Sequence, residues 1–232
     1  VTYAFDPAPT PTLAIVGSTT RFPVNRIFCV GRNYAAHARE MGQDEREPPF
    51  FFMKPRNAVV DCSGDETPLP YPPMTSNFHH EVELVVAIGK GGANIAREQA
   101  GSLVFGHAVG LDMTRRDLQF AARDKGRPWE FGKAFTASAP IGAIVPEAGR
   151  GVMRGGAIWL AVNETRKQGS DIGLMIWSVE EAISYLSRYE ALQAGDLIMT
   201  GTPEGVGPVR PGDLMHGHID GLPDIRVRVD AS

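Results

Sequence analysis

The chain is poor in cysteine, in uninterrupted apolar runs and in surplus charge of either sign. Cys29 and Cys62 are the only two thiols in 232 residues. Their spacing fits neither a metal knuckle nor a redox pair, and two cysteines do not make a disulfide framework. Every apolar run is short and broken by glycine or charge, so no segment reads as a bilayer-crossing helix. Twenty-seven acidic against 23 basic residues leave a formal net charge of -4. That near-balance gives no electrostatic footprint for nucleic acid or an anionic membrane. No secretory signal pattern is visible, and a cytoplasmic address is the expectation. The Gly-rich "TGTPEGVG" (residues 200–207) lacks the Gly-Lys-Ser/Thr ending of a phosphate-binding loop.

What is present points to strands and turns. Hydrophobic residues make up 43% of the chain, enough for one core, and 26 glycines with 18 prolines favour many short strands. Residues 1–20 read as a Pro/Thr-rich leader or edge hairpin, and residues 21–232 as one domain. "IFCV" (27–30) is a buried-strand pattern, followed by a Gly-Arg-Asn turn and a short helix starting near Asn33. "FFFMKPRNAVV" (50–60) resumes a strand. "DETPLPYPPMTSNFHH" (65–80) is too dense in proline for regular structure. "TRRDLQFAARDKG" (114–126) reads as a helix with Thr114 and Asp117 at capping-box spacing, and "SVEEAISYLSRY" (178–189) as another with Ser178 and Glu181. "GAIWLAVNETRKQG" (156–169) is a hairpin pattern. Strands outnumber helices without a βαβ rhythm, so the fold class is β-rich α+β.

"FHHEVELVVAIGK" (78–90) carries the chemistry. Alternation along a strand puts Glu81, Glu83, Val85 and Ala87 on one side and Val82, Leu84, Val86 and Ile88 on the other, the latter facing the core. Asp112 ends a second apolar strand candidate, "VFGHAVGL" (104–111). If the two strands pair, three carboxylates converge, and like charges so close need a cation. Oxygen ligands suit Mg²⁺ or Mn²⁺, whereas zinc would want histidines. Spacing alone leaves a second reading open: a solvated Glu-x-Glu edge, with Asp112 capping a helix. His37 and Glu40, three apart, are either a dyad that activates water or an incidental contact on an exposed helix. Lys133, in "EFGKAFT", either holds an anionic oxygen or snorkels to the surface. The "TGTPEGVG" loop offers backbone N–H groups to a carboxylate. The other histidines read as satisfied or loop-borne, and Trp129, Trp159 and Trp177 as core or interface residues.

Taken in order, "RIFCVGRNYAAHAREMG", "FFFMKP", "HHEVELVVAIGK", "GLDMTRRDLQ", "PWEFGKAFTASAPIG" and "GDLIMTGTPEGVG" resemble the fumarylacetoacetate hydrolase family, from about residue 25 to 215. "REPPFFFMKP" is similar to its fumarylpyruvate-cleaving bacterial members, which serve gentisate degradation. The resemblance implies a mixed β-roll with short helices and a lid helix, a homodimer, and bound Mg²⁺ or Mn²⁺. It assigns metal binding to Glu81, Glu83 and Asp112, and a lid-borne dyad to His37 and Glu40. Lys133 falls on the active-site lysine, Thr202 on the substrate-carboxylate loop, and Arg116 and Gln119 on positions that shape the pocket. The implied reaction is hydrolysis of a C–C bond in an acylpyruvate, with fumarylpyruvate giving fumarate and pyruvate. Decarboxylation of oxaloacetate and isomerisation of an oxo-acid are the enzyme alternatives. A metal-stabilised interaction protein without catalysis is the alternative of another class. Three positions depart from the family pattern. Leu111 stands where many members carry Asn, Arg115 where a small residue is common, and Asn163-Glu164 where the hairpin turn is usually Asn-Gly.

Overall fold

The computed structural model describes residues 1–34, 47–147, 149 and 151–230. Its mixed sheet curls into a half-barrel with few short helices. The larger sheet runs, in spatial order, Phe50–Lys54, Ile27–Gly31, Leu197–Met199, Val82–Ile88, Val104–Leu111, Ala139–Ile141 and Val59–Asp61. A second sheet orders Thr165–Asp171, Ala157–Val162, Leu214–Ile219, Ile225–Asp230 and Thr67–Pro70.

The strand Val82–Ile88 lies inside the larger sheet, antiparallel to both neighbours. The alternation of the sequence predicts one buried face, but all seven of its residues are buried. Val82, Leu84, Val86 and Ile88 share a core with Ile158, Leu160, Ile219 and Val227 of the second sheet. On the other face Val85 and Ala87 share one with Leu13 and Phe22. Those two come from Thr12–Ala14 and Arg21–Pro23, an antiparallel pair laid over the sheet. Each aliphatic side chain fully buried in this way contributes about 1.5–3 kcal/mol.

Two local expectations are corrected. The proline-dense segment does form a strand, Thr67–Pro70, at the edge of the second sheet. It runs parallel to Ile225–Asp230, with Thr67 and Leu69 buried and Pro68 and Pro70 exposed. Tyr71 N–H, in phase with Leu69, donates to Asp230 O at 3.2 Å. The prolines therefore fall at positions facing away from the ladder, where a missing N–H costs no bond. Thr114 also does not cap a helix. It lies in a short strand, Thr114–Arg115, paired with Phe78–His80, and the helix Arg116–Arg123 begins without a side-chain cap. Asp117 instead accepts from Thr75 Oγ1 (2.6 Å) and Ser76 N–H (3.0 Å), pinning the proline-rich segment to this helix.

The capping box on Val179–Tyr189 is complete in both directions. The hairpin Ala157–Val162/Thr165–Asp171 forms with Asn163 and Glu164 at φ 48° and 66°. Both turn residues are thus left-handed, as a two-residue hairpin turn of this hand requires. His37, Glu40 and the expected lid helix lie outside the described residues. Among the described residues, no helix is long and apolar enough to cross a membrane.

Candidate metal centre

Strand register assembles the three carboxylates. Val82 pairs with Leu111, and Asp112 N–H donates to Glu81 O at 2.8 Å, so Glu81 and Asp112 face each other just beyond the paired strands. Glu83 lies two residues further along, on the Glu81 side of its strand, opposite Gly110, which has no side chain to crowd it. One oxygen from each of the three lies within 4.8 Å of the others. Glu81, Glu83 and Asp112 are 5%, 2% and 1% exposed. That burial removes the solvated-edge reading.

Three buried cations sit among these acids. Lys133 Nζ donates to Glu81 Oε2 and to Asp112 Oδ2, each at 2.8 Å. Arg116 donates through Nη2 to Glu81 Oε1, through Nη1 to Gln119 Oε1 (2.5 Å) and through Nε to His79 Nδ1 (3.3 Å). Lys54, not singled out in the sequence reading, lies 2.8 Å from Asp112 Oδ1. Its ammonium also donates to Met113 O, Lys133 O and Ser138 Oγ. Three protons are thereby committed elsewhere, so the Asp112 Oδ1 contact is a charge contact without a directed hydrogen bond. Desolvation tends to lower the pKa of Lys133, but Asp112 and Glu81 outweigh it and hold the pKa above its ordinary value. Lys133 is a buried lysine paired with two carboxylates, not a snorkelling surface lysine. Burial, then the negative charge of Asp112 and Glu81, push the Glu83 carboxyl well above the usual carboxylate range. His79 is lowered to about 4, by burial first and then by Arg116. It is therefore neutral, accepting from Arg116 and donating through Nε2 to Asn77 Oδ1 (2.8 Å).

The residues fit a hard divalent cation. Three oxygens converge, Asp112 Oδ1 is buried with no directed bond, and the upward shift of the Glu83 carboxyl, caused by burial and its acidic neighbours, is what a cation would relieve.

The loop after Leu197–Met199 closes one side of the cavity. Gly201 sits at φ 95°, and a Cβ there would come within 2.6 Å of Asn33 Cβ. With no Cβ in the way, its N–H donates to Glu83 Oε2 at 2.8 Å. Asn33 locks this arrangement, donating to Thr200 O and Trp177 O and accepting from Trp177 N–H. The hydroxyl of Thr202 is fully engaged, donating to Val82 O and accepting from Gln168 Nε2, each at 2.8 Å. The one proton of that hydroxyl is therefore spent inside the protein, as is Gly201 N–H, which goes to Glu83. Gln168 is a second residue the sequence reading passed over. Buried at the centre of four hydrogen bonds, it accepts from His80 Nδ1 and Val82 N–H and donates to Thr202 Oγ1 and Pro203 O.

Glu81, Glu83, Asp112, Arg116, Gln119, Lys133, Gly201 and Thr202 line one cavity, walled further by Arg32, Phe50, Phe52 and Trp129. Neither unusual residue near Asp112 is among the lining. Leu111 is buried in the core, and Arg115 lies over the Phe135 ring at 4.3 Å.

Residues 26–230 match the model of the fumarylacetoacetate (FAA) hydrolase C-terminal domain. The chain belongs to the fumarylacetoacetate hydrolase family. It is similar to a fumarylpyruvate hydrolase of Ralstonia sp., 49% identical over 183 residues that cover 79% of this chain and 93% of the relative. It is 41% identical to a mitochondrial oxaloacetate tautomerase of Mus musculus, over 89% of this chain and 92% of that one. Among solved structures it resembles the fumarylpyruvate hydrolase of Pseudomonas aeruginosa in complex with Mn²⁺ and pyruvate. That likeness has a TM-score of 0.95 and 55% identity over the whole of both chains. The family resemblance drawn from the motifs holds, and with it the β-roll.

Proposed function

We infer that this chain hydrolyses the C3–C4 bond of an acylpyruvate, with fumarylpyruvate giving fumarate and pyruvate. The observation that carries the reading is the buried cluster of Glu81, Glu83 and Asp112 in a cavity shared with Lys133 and Arg116. Its likeness to a hydrolase whose structure holds Mn²⁺ and pyruvate supports it. Glu81, Glu83 and Asp112 would hold Mn²⁺ or Mg²⁺, which supplies Lewis acidity toward the keto-acid end of the substrate.

The chain's own residues supply the rest. Lys133, held as an ammonium, stabilises negative charge that grows on the substrate oxygens. Arg116 orients Glu81 and fixes Gln119 at the cavity wall. We assign the substrate carboxylate to the backbone of Thr202, in the loop that Asn33 and Gln168 hold, since Gly201 N–H is committed to Glu83. We assign to His37, with Glu40 as its partner in the dyad that the family resemblance implies, the proton taken from water. The water oxygen then bonds to C4, the C3–C4 bond breaks, and the electron pair left on C3 is protonated to give pyruvate. We assign this catalytic unit to residues 21–232, with residues 1–20 appended to it. The same reading carries a cytoplasmic homodimer without a nucleic-acid partner, and light scattering tests the dimer.

The reaction is tested by presenting metal-loaded protein with fumarylpyruvate and with oxaloacetate in parallel. Cleavage of fumarylpyruvate at a kcat/KM at least tenfold above any reaction of oxaloacetate is the expected result. An inert fumarylpyruvate, alongside tautomerised or decarboxylated oxaloacetate, overturns the reading.

A further inference from the structure

The cavity has two chemically different parts. One holds the carboxylate cluster, with Lys133 and Arg116 already bonded to Glu81 and Asp112. The other is an aromatic wall of Phe50, Phe52 and Trp129. Trp129 stands edge-on to Phe50, with centroids 5.6 Å apart, and 6.1 Å from Phe52. Arg32 belongs to this second part. Its guanidinium lies 5.3 Å from the Phe50 ring centroid, and the residue is half-buried at the cavity lining.

The backbone of Arg32 is at φ 56°, a left-handed conformation that L residues adopt at a cost. Asn33, bonded to Trp177 and Thr200, holds the next residue in place and so maintains it. Strain of this kind concentrates where a side chain must be aimed at a ligand. Burial lowers the Arg32 pKa and nearby Glu47 raises it. A guanidinium carries five N–H donors in a planar fork, a geometry suited to meeting a carboxylate with two parallel bonds.

Resting on the hydrolase reading above, we propose that Arg32 is a specificity-determining residue that binds the distal carboxylate of the acyl tail, with Phe50, Phe52 and Trp129 packing the flat unsaturated chain between. Fumarylpyruvate is a planar, conjugated tail with a carboxylate at each end of the molecule. Its keto-acid end belongs with the acidic cluster. Its far end then needs a cation beyond an apolar, aromatic slot, and among the cationic residues lining the cavity Arg32 is the one outside that cluster. Acetylpyruvate has the same reacting atoms but a neutral methyl tail, so it isolates the effect.

The test measures kcat and KM for fumarylpyruvate and acetylpyruvate with the Mn²⁺-loaded wild type, Arg32→Met and Arg32→Gly. Glycine is unstrained at this φ, so the second variant removes the charge without threatening the fold. The ratio of kcat/KM for fumarylpyruvate over acetylpyruvate is expected to fall about 10- to 100-fold in both variants, the loss of one charged hydrogen-bonded contact, and chiefly through KM. An unchanged ratio, or a wild type that does not prefer fumarylpyruvate, overturns the proposal while leaving the hydrolase reading intact. A wild type that cleaves neither compound removes the hydrolase reading and this one with it.

Discussion

At the scale of single residues, the site is a problem in burying charge. Three carboxylates stand in a region where unpaired ions are prohibitively costly, and Lys54, Lys133 and Arg116 offset them. Among the described residues Glu83 has no cationic side chain at hydrogen-bond distance and accepts from Gly201 N–H, and its pKa rises, by burial first and then by its acidic neighbours. Glu83→Gln is therefore expected to fold while losing one anionic ligand. Mn²⁺ affinity by calorimetry should fall by about 100-fold or more, of the order of losing one charged ligand interaction. Near-wild-type affinity would remove Glu83 from the ligand set. The carboxylates were legible in the sequence because Glu-x-Glu interrupts an otherwise apolar strand. Lys54 and Gln168 were not. Each works through a partner far along the chain, Asp112 for one and Thr202 for the other, and nothing local marks a lysine ending "FFFMK" as buried. The hydroxyl of Thr202 is the obvious anion donor in a sequence, yet two internal hydrogen bonds consume it.

At the scale of elements, local rules held where tertiary structure asked nothing of the residue. Ser178 and Glu181 cap their helix as the pattern predicts. Thr114 has the same spacing to Asp117, but its strand pairs with Phe78–His80 and its hydroxyl points to Glu81 and Asp112 O. The site, not the helix, decides the backbone there. In the hairpin, Glu164 occupies a left-handed position that glycine fills without cost. Glu164→Gly is expected to stabilise the protein by about 0.5–1 kcal/mol, since left-handed backbone costs an L residue about 1–2 kcal/mol and glycine's added chain entropy returns part of it. Denaturant unfolding measures this, and a loss of stability would mean that the Glu164 side chain matters more than its backbone. The strand Thr67–Pro70 escaped detection because proline density argues against a ladder only for strands inside a sheet.

At the scale of the molecule, the fold and the metal site are coupled through protons. Metal-free, Glu83 stays protonated above the pH at which an unfolded glutamate ionises, so the native state holds the extra proton in that window. Stability of the metal-free protein should accordingly fall as pH rises from the ordinary carboxylate range through the raised Glu83 pKa. A cation displaces that proton, so Mn²⁺ affinity and the Tm gain on adding Mn²⁺ should both grow with pH across the same window. Affinity independent of pH there would mean that Glu83 is already ionised. The two cores on either side of Val82–Ile88 explain why the site survives such a charge density: Glu83 is carried by a strand buried on both faces, and Glu81 and Asp112 adjoin the ends of that strand and its neighbour Val104–Leu111. No sequence pattern announces that second burial, because it depends on a distant N-terminal hairpin.

The most direct measurement strips the protein of metal, restores Mn²⁺ stepwise, and quantifies fumarate and pyruvate released from fumarylpyruvate at each step. The account expects no turnover without metal, saturation near one Mn²⁺ per chain, and the two products in equal amounts. Turnover that survives metal removal, or pyruvate released without fumarate, would contradict it.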